Sequence, residues 1–279
     1  MSKRQRKNMS EKKLKDGCGQ GVGTEYKPWI TIQEVPSIGR STRLKGIKIP
    51  RQFEFLSDLE RNYFYLLEYS DVVVDIREQY PLLPIEETIV IAEELGLKHP
   101  IHPETKEHFV MTTDFLVTVN TSGGIKNLAR TLKYKDDLLD EKVLKKFEIE
   151  RVYWEKQGID WGIVTDLEIP KNMAHNIAFV RSYSNLAHIE GFSECSNNEL
   201  EEMTIYFIGQ LLNKQYTLRR IAKNLERDFG LMVGCGLSFY KHLVFNKVIE
   251  IDMQNKIDLT QIQYIKAVRR DFSEKVKTI

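Results

Sequence analysis

The chain has 279 residues, 42% hydrophobic and 10% aromatic, with a formal net charge of +1. That length allows two domains or one large one, each with a real core, and so even a charge does not by itself announce nucleic acid. No run approaches the roughly 18 apolar residues of a membrane span. The opening Met1-Ser-Lys-Arg-Gln-Arg-Lys also lacks the apolar stretch of a signal peptide, so a cytoplasmic protein is expected. Cys18, Cys195 and Cys235 stand far apart with no zinc spacing, which fits free thiols in a reducing compartment.

Residues 1–27 read as a basic, flexible arm. Lys3, Arg4, Arg6, Lys7, Lys12, Lys13 and Lys15 face one acid, Glu11, so the arm either neutralises phosphates or solubilises the chain. Gly19-x-Gly21-x-Gly23 is no dinucleotide fingerprint, because no apolar strand precedes it and no helix follows. Pro28 to Ile32 reads as a short strand or an anchor. Residues 36–50 read as a loop whose Arg40, Arg43 and Lys45 are candidates for the DNA backbone, with Arg77 and Lys135 further along.

Ser57-Asp-Leu-Glu60 opens a helix reaching about Tyr69, with Leu59, Tyr63, Leu66 and Leu67 as its apolar stripe. Glu60 sits where a capping-box glutamate reaches back to the cap, yet also at the edge of the buried face. Val72 to Tyr80 reads as a buried strand ended by prolines. Glu86 to Leu95 is a helix closed by Gly96, and His99, His102 and His108 fall in a loop.

The centre of the pattern is a hairpin, Met111 to Val119 and Lys126 to Tyr134, around Thr121-Ser-Gly-Gly124. A symmetric turn puts Asp114 opposite Thr131, and Lys133 shares a strand face with Thr131. A carboxylate beside a lysine suits metal-assisted phosphodiester cleavage, the acid holding the cation and the lysine orienting water; it also suits a plain surface ion pair. Asp140 to Lys156 is a periodic helix in which Glu150 is a candidate supporting group, and Trp161 to Asp166 is a further strand. From Glu168 the pattern turns helical: Asn198–Asn213, Leu218–Phe229 and Gly236–Phe245, then a strand Lys247–Asp252 and a mixed helix or tail Thr260–Val276. Helix, turn, helix and short strand outline a winged helix, in which Lys241, His242, Arg219 and Arg220 do not decide between DNA and protein.

At Ser57-Asp-Leu-Glu60, Asp75-Ile-Arg-Glu-Gln-Tyr-Pro-Leu82, Met111-x-Thr-Asp114-Phe-Leu-Val117 and Glu148-x-Glu-Arg-x-Tyr-Trp154, the chain resembles TnsA, the endonuclease subunit of TnsABC-type transposons. The resemblance implies an α/β, restriction-endonuclease-like mixed sheet flanked by helices over residues 28–167. It implies a mostly helical, winged-helix-like C-terminal domain over 168–279. It further implies Mg²⁺-dependent cutting at the 5′ ends of a transposon, with Mn²⁺ able to substitute. The partners implied are double-stranded DNA at transposon ends, a TnsB-like DDE transposase, and a TnsC-like AAA+ ATPase on the C-terminal region. The family's catalytic residues fall on Glu60, Asp114 and Lys133. Better-known members carry Gln or Glu where this chain has Thr131, a weaker ligand that the Leu132 carbonyl or water would supplement. A stand-alone restriction or repair nuclease, or a DNA-end adaptor of weak activity, are the competing readings.

Overall fold

The hairpin forms the middle of a four-stranded sheet. The computed structural model describes residues 10–34, 40–102 and 106–276. In it β4 (Thr112–Thr121) and β5 (Gly124–Leu132) pair antiparallel from Thr121–Gly124 to Phe115–Arg130, a register that extrapolates to Asp114 opposite Thr131. The turn is tighter than expected, with Ser122-Gly123 alone between the strands and Gly124 at φ 95°. β3 (Val73–Pro81) adds antiparallel to the free side of β4, and β6 (Asp160–Val164) lies parallel to β5, giving the mixed order β3-β4-β5-β6. A parallel neighbour demands a crossover, and α3 (Glu141–Lys156), capped by Asp140, supplies it.

Each face of the sheet is covered by what the sequence periodicity sends there. α2 (Ile85–Glu94) and α3 bury Ile91, Ile149 and Trp154 against Leu82, Met111, Leu116 and Ala129. Elsewhere in this unit, α1 (Asp58–Tyr69) brings Phe64 within 4.6 and 4.9 Å of Phe53 and Phe55, and Tyr63 within 5.4 Å of Phe115. The four phenylalanines are fully buried, and rings of this size carry much of the apolar burial of a core.

Two expectations for the N-terminal unit change. The loop read over 36–50 contains β1 (Thr42–Lys45), which pairs with β2 (Gln52–Phe55). Gly46 makes that turn possible, since a Cβ there would sit 2.2 Å from the Ile49 carbonyl oxygen. Pro28 to Ile32 forms no strand. It is an anchor: Trp29 is buried, and its N–H donates to the Gln79 carbonyl at 3.1 Å. Lys3, Arg4, Arg6 and Lys7 of the basic arm lie outside the described residues.

The chain divides into units 1–169 and 170–279. The second unit contains α4 (Lys171–Arg181), α5 (Asn197–Asn213), α6 (Leu218–Asp228) and α7 (Cys235–Phe245). β7 (Ile249–Ile251) and α8 (Arg270–Val276) follow, with β8 (Ile265–Val268) between them. β8 corrects the reading of 260–276 as one helix or tail: it runs antiparallel to β7, whose Ile249 and Ile251 need a strand partner to be buried. α6 and α7 meet where a Cβ on Gly236 would lie 2.1 Å from the Ala222 carbonyl oxygen. Gly236→Ala must push the two helices apart, and we expect it to cost roughly 1–3 kcal/mol; urea unfolding of the variant measures this.

Candidate active site

The motif Asp75-Ile-Arg-Glu-Gln79 on β3 builds the site from its floor up. The Asp75 carboxylate accepts from the Gly23 N–H at 3.1 Å, which ties the glycine-rich entry segment to the sheet. Arg77 pairs with Asp75 at 3.2 Å and donates to Thr118 (3.0 Å) and Asn127 (3.1 Å). It is buried, so its guanidinium is engaged inside the protein rather than presented to DNA. Glu78, with no solvent exposure, accepts from Arg51 and from the Glu54 N–H. Arg51 also donates to the Ile76 carbonyl at 2.8 Å and lies 3.7 Å from the Phe53 ring centre.

Gln79 then distorts the strand without ending it. The ladder pairs Glu78 with Phe115 and Tyr80 with Thr113, leaving Gln79 between them at φ 47°. A left-handed conformation in a side chain of this kind costs about 1–3 kcal/mol and persists only where its surroundings impose it. Here the Gln79 Nε2 donates to Asp114 Oδ1 at 3.2 Å and to Glu60 Oε2 at 3.4 Å, while its Oε1 accepts from the Thr112 hydroxyl at 3.2 Å.

Glu60 is held at the cap and by the Gln79 amide at once. Ser57 caps α1 by accepting from the Glu60 N–H (3.2 Å), and the Ser57 hydroxyl donates back to Glu60 Oε1 at 2.8 Å. The reach past the cap lands on the Leu56 N–H at 3.0 Å. The same carboxylate, 7% exposed, faces Asp114 through the shared Gln79 amide. Asp114 is partly exposed and accepts from the Leu132 N–H at 2.7 Å.

Burial, and next the charge of Asp114, push the Glu60 carboxyl up to about 7. Burial likewise raises Asp114, against the Leu132 N–H and the charges of Lys146 and Lys133. The folded pair thus holds a proton that the unfolded chain, at an ordinary carboxyl value of 4.5, has released. Its contribution to stability is fully present below about pH 4.5 and is lost as pH rises through about 7. In metal-free protein the urea midpoint should fall over that window, and Glu60→Gln should flatten the fall; an equal slope in both proteins would contradict this.

The remaining predicted residues divide. Lys133 is one-third exposed and its ammonium lies 3.3 Å from Asp137 Oδ2, while its charge still reaches Asp114. The Thr131 hydroxyl is turned elsewhere: it donates to Glu150 Oε1 and accepts from Trp161 Nε1 at 3.1 Å. Glu150 also accepts from Thr113 at 2.6 Å, its Oε2 has no hydrogen-bond partner, and burial raises its carboxyl. Arg43 is exposed and paired with Glu54 at 3.0 Å; Arg40, Lys45 and Lys135 are exposed. Gln79 and Lys146 are members of this neighbourhood that the residue pattern did not single out. The Gln79 signal was present in the motif, since a buried polar string in a strand needs partners; Lys146 looked like any lysine on a helix's polar face.

Residues 70–166 match the family described as TnsA-like endonuclease N terminal, and residues 168–253 match TnsA endonuclease C terminal. The chain is 35% identical over 269 residues to the Transposon Tn7 transposition protein TnsA of Escherichia coli, covering 91% of this chain and 94% of that protein. The chain belongs to the TnsA family. The TnsA fold, a mixed sheet flanked by helices with a helical C-terminal unit, is thus the frame that brings Glu60 and Asp114 together. Among the described residues, no three His, Cys, Asp or Glu side chains gather as a metal cluster. The donor set is two carboxylates with neighbouring backbone, hard oxygen ligands of the kind Mg²⁺ accepts while keeping several waters. The residues present fit such an ion, and they do not offer the sulfur or imidazole set of a zinc site.

Proposed function

We propose that this TnsA-family protein is a Mg²⁺-dependent endonuclease that cuts the 5′ ends of a transposon, acting beside a TnsB-like DDE transposase. The observation that carries the reading is the convergence of Glu60 and Asp114 on one amide, Gln79, beside Leu132 at the end of the strand that leads into Lys133. Glu60 and Asp114 would hold the cation, with the Leu132 carbonyl and water completing its shell. When bound, Mg²⁺ supplies Lewis acidity toward the phosphate and stabilises the leaving oxygen; Mn²⁺ would serve as well.

The chain's own groups do the positioning. The Leu132 N–H fixes Asp114 Oδ2 and leaves Oδ1 toward Glu60. Lys133 leaves Asp137 to orient the attacking water in line with the phosphorus, so that the 3′ oxygen departs and the product keeps a 5′ phosphate. Thr131 acts through Glu150, holding the α3 side of the hairpin, rather than as a ligand. Arg40, Arg43, Lys45 and Lys135 are the surface cations offered to the backbone of double-stranded DNA; Arg77 is left out.

The C-terminal unit, read as winged-helix-like, is assigned to a TnsC-like AAA+ ATPase. α7 occupies the place of a groove-reading helix, yet every residue in it is at least partly covered. Its Lys241 ammonium lies 3.9 and 4.4 Å from the rings of Phe179 and Tyr183, and its His242 ring meets the Tyr183 carbonyl at 2.9 Å. A helix whose polar groups are engaged inside the domain favours protein docking over base reading. No helix among the described residues is long and apolar enough to cross a membrane.

Strand-resolved mapping of cuts tests the reading. With transposase, Mg²⁺ and an end-bearing duplex, the protein should nick at the 5′ end, and Lys133→Ala should lose that nick while the 3′ cut persists. Efficient cutting by this chain alone would favour a stand-alone nuclease. A complex that assembles without any 5′ nick would favour an adaptor.

A further inference from the structure

Gln79 is buried to 3% exposure, stands at φ 47° inside a strand, and donates its amide nitrogen to the two carboxylates assigned to the cation. Among the described residues the other non-glycine positions of positive φ are Lys106, Lys214 and Lys247, and none of them lies within a strand. The amide has two N–H donors and one acceptor. The acceptor is taken by the Thr112 hydroxyl, which fixes the flip of the group and turns both donors toward Asp114 Oδ1 and Glu60 Oε2. The backbone is held from behind, where the Gln79 carbonyl receives the Trp29 N–H at 3.1 Å. An NH₂ group bridging two acidic oxygens supplies in part the positive potential that a divalent cation supplies in full.

We propose that Gln79 is a placeholder for the metal: its amide occupies the space between Glu60 and Asp114 in the metal-free protein, keeps the two acids from repelling each other, and withdraws when the cation enters. This rests on the reading of Glu60 and Asp114 as ligands. Its consequence has a definite sign. Gln79 stabilises the metal-free state alone, so removing its amide weakens that state and makes metal binding tighter. A ligand or a positioning group for the metal would have the opposite effect. The device suits an endonuclease that must stay assembled, yet idle, before metal and DNA arrive together.

The test is calorimetric titration of the full chain with Mn²⁺, alongside thermal unfolding without metal. Gln79→Leu should unfold at lower temperature without metal and bind Mn²⁺ about tenfold more tightly, the worth of one hydrogen bond to a charged group. Gln79→Gly removes the amide and accepts the positive φ, so it should show the same tightening and serves if the leucine variant folds poorly. Unchanged affinity in the variants would mean that the amide does not stand in the cation's place. Weaker affinity would mean that Gln79 helps to hold the metal, and either result overturns the proposal. Asp114→Asn separates this from the underlying site: if that variant binds Mn²⁺ as the wild type does, the acid pair itself is misassigned.

Discussion

Asp114→Asn is expected to lower 5′-end cutting by about 1,000-fold, roughly 4 kcal/mol of barrier, while the fold survives. Asparagine keeps the shape of the side chain and one oxygen for the Leu132 N–H, which Asp114 now engages at 2.7 Å. What it removes is a negative charge from a site where burial already opposes ionisation. The charge of Asp114 is the second cause, after burial, that raises the Glu60 carboxyl. The substitution should therefore bring Glu60 back toward its ordinary value, as carbon-13 NMR of the glutamate carboxyls would record. Loss of cutting together with a lowered Glu60 value marks an electrostatic partnership. Loss of cutting with Glu60 unmoved would mean that the two acids act apart.

Glu78→Ala should be the most damaging substitution to stability in the motif. It leaves the Arg51 guanidinium buried beside the Phe53 and Tyr26 rings without its carboxylate. Removing one partner of a buried, hydrogen-bonded ion pair costs about 3–5 kcal/mol, mainly because the other charge stays behind unpaired. Glu78 precedes Gln79, so the loss also loosens the segment that sets the acid pair. Urea unfolding should show the full decrease, and Arg51→Met with Glu78→Leu together should recover most of it. A decrease below about 1 kcal/mol would place the pair in the class of surface ion pairs.

The three charged residues of the motif, each taken up by a structural partner, explain why so much of this protein could be read in advance. Asp75, Arg77 and Glu78 are spent on the glycine-rich segment, the sheet and Arg51, so the string is constrained by packing. The hairpin register followed from a two-residue period and a glycine turn, and its extension by one pair puts Asp114 opposite Thr131. The helix over 58–69 followed from its cap and stripe. The resemblance to TnsA, and not the spacing, moved Glu60 from cap to site; in the structure its carboxylate both closes the α1 entry and accepts from the Gln79 amide that also reaches Asp114.

What escaped did so for physical reasons. β1, β2 and β8 are four residues each, in two-stranded sheets, too short to impose a period. Thr131 came forward as a ligand through its place in the family motif, two residues before Lys133, while its hydroxyl donates to Glu150 from α3, a tertiary contact that no local pattern encodes. Gln79 owes its position to a backbone turn within a strand, a conformation that glutamine does not advertise.

The measurement that bears most directly on the whole account is the anomalous scattering of Mn²⁺ in crystals of the full chain. The account predicts one dominant peak bonded to carboxylate oxygens of both Glu60 and Asp114, at about 2.0–2.6 Å, with the Gln79 amide turned away. A strong peak elsewhere, such as between His99 and His108, whose Nδ1 atoms lie 3.0 Å apart, with nothing between the two acids, would contradict it.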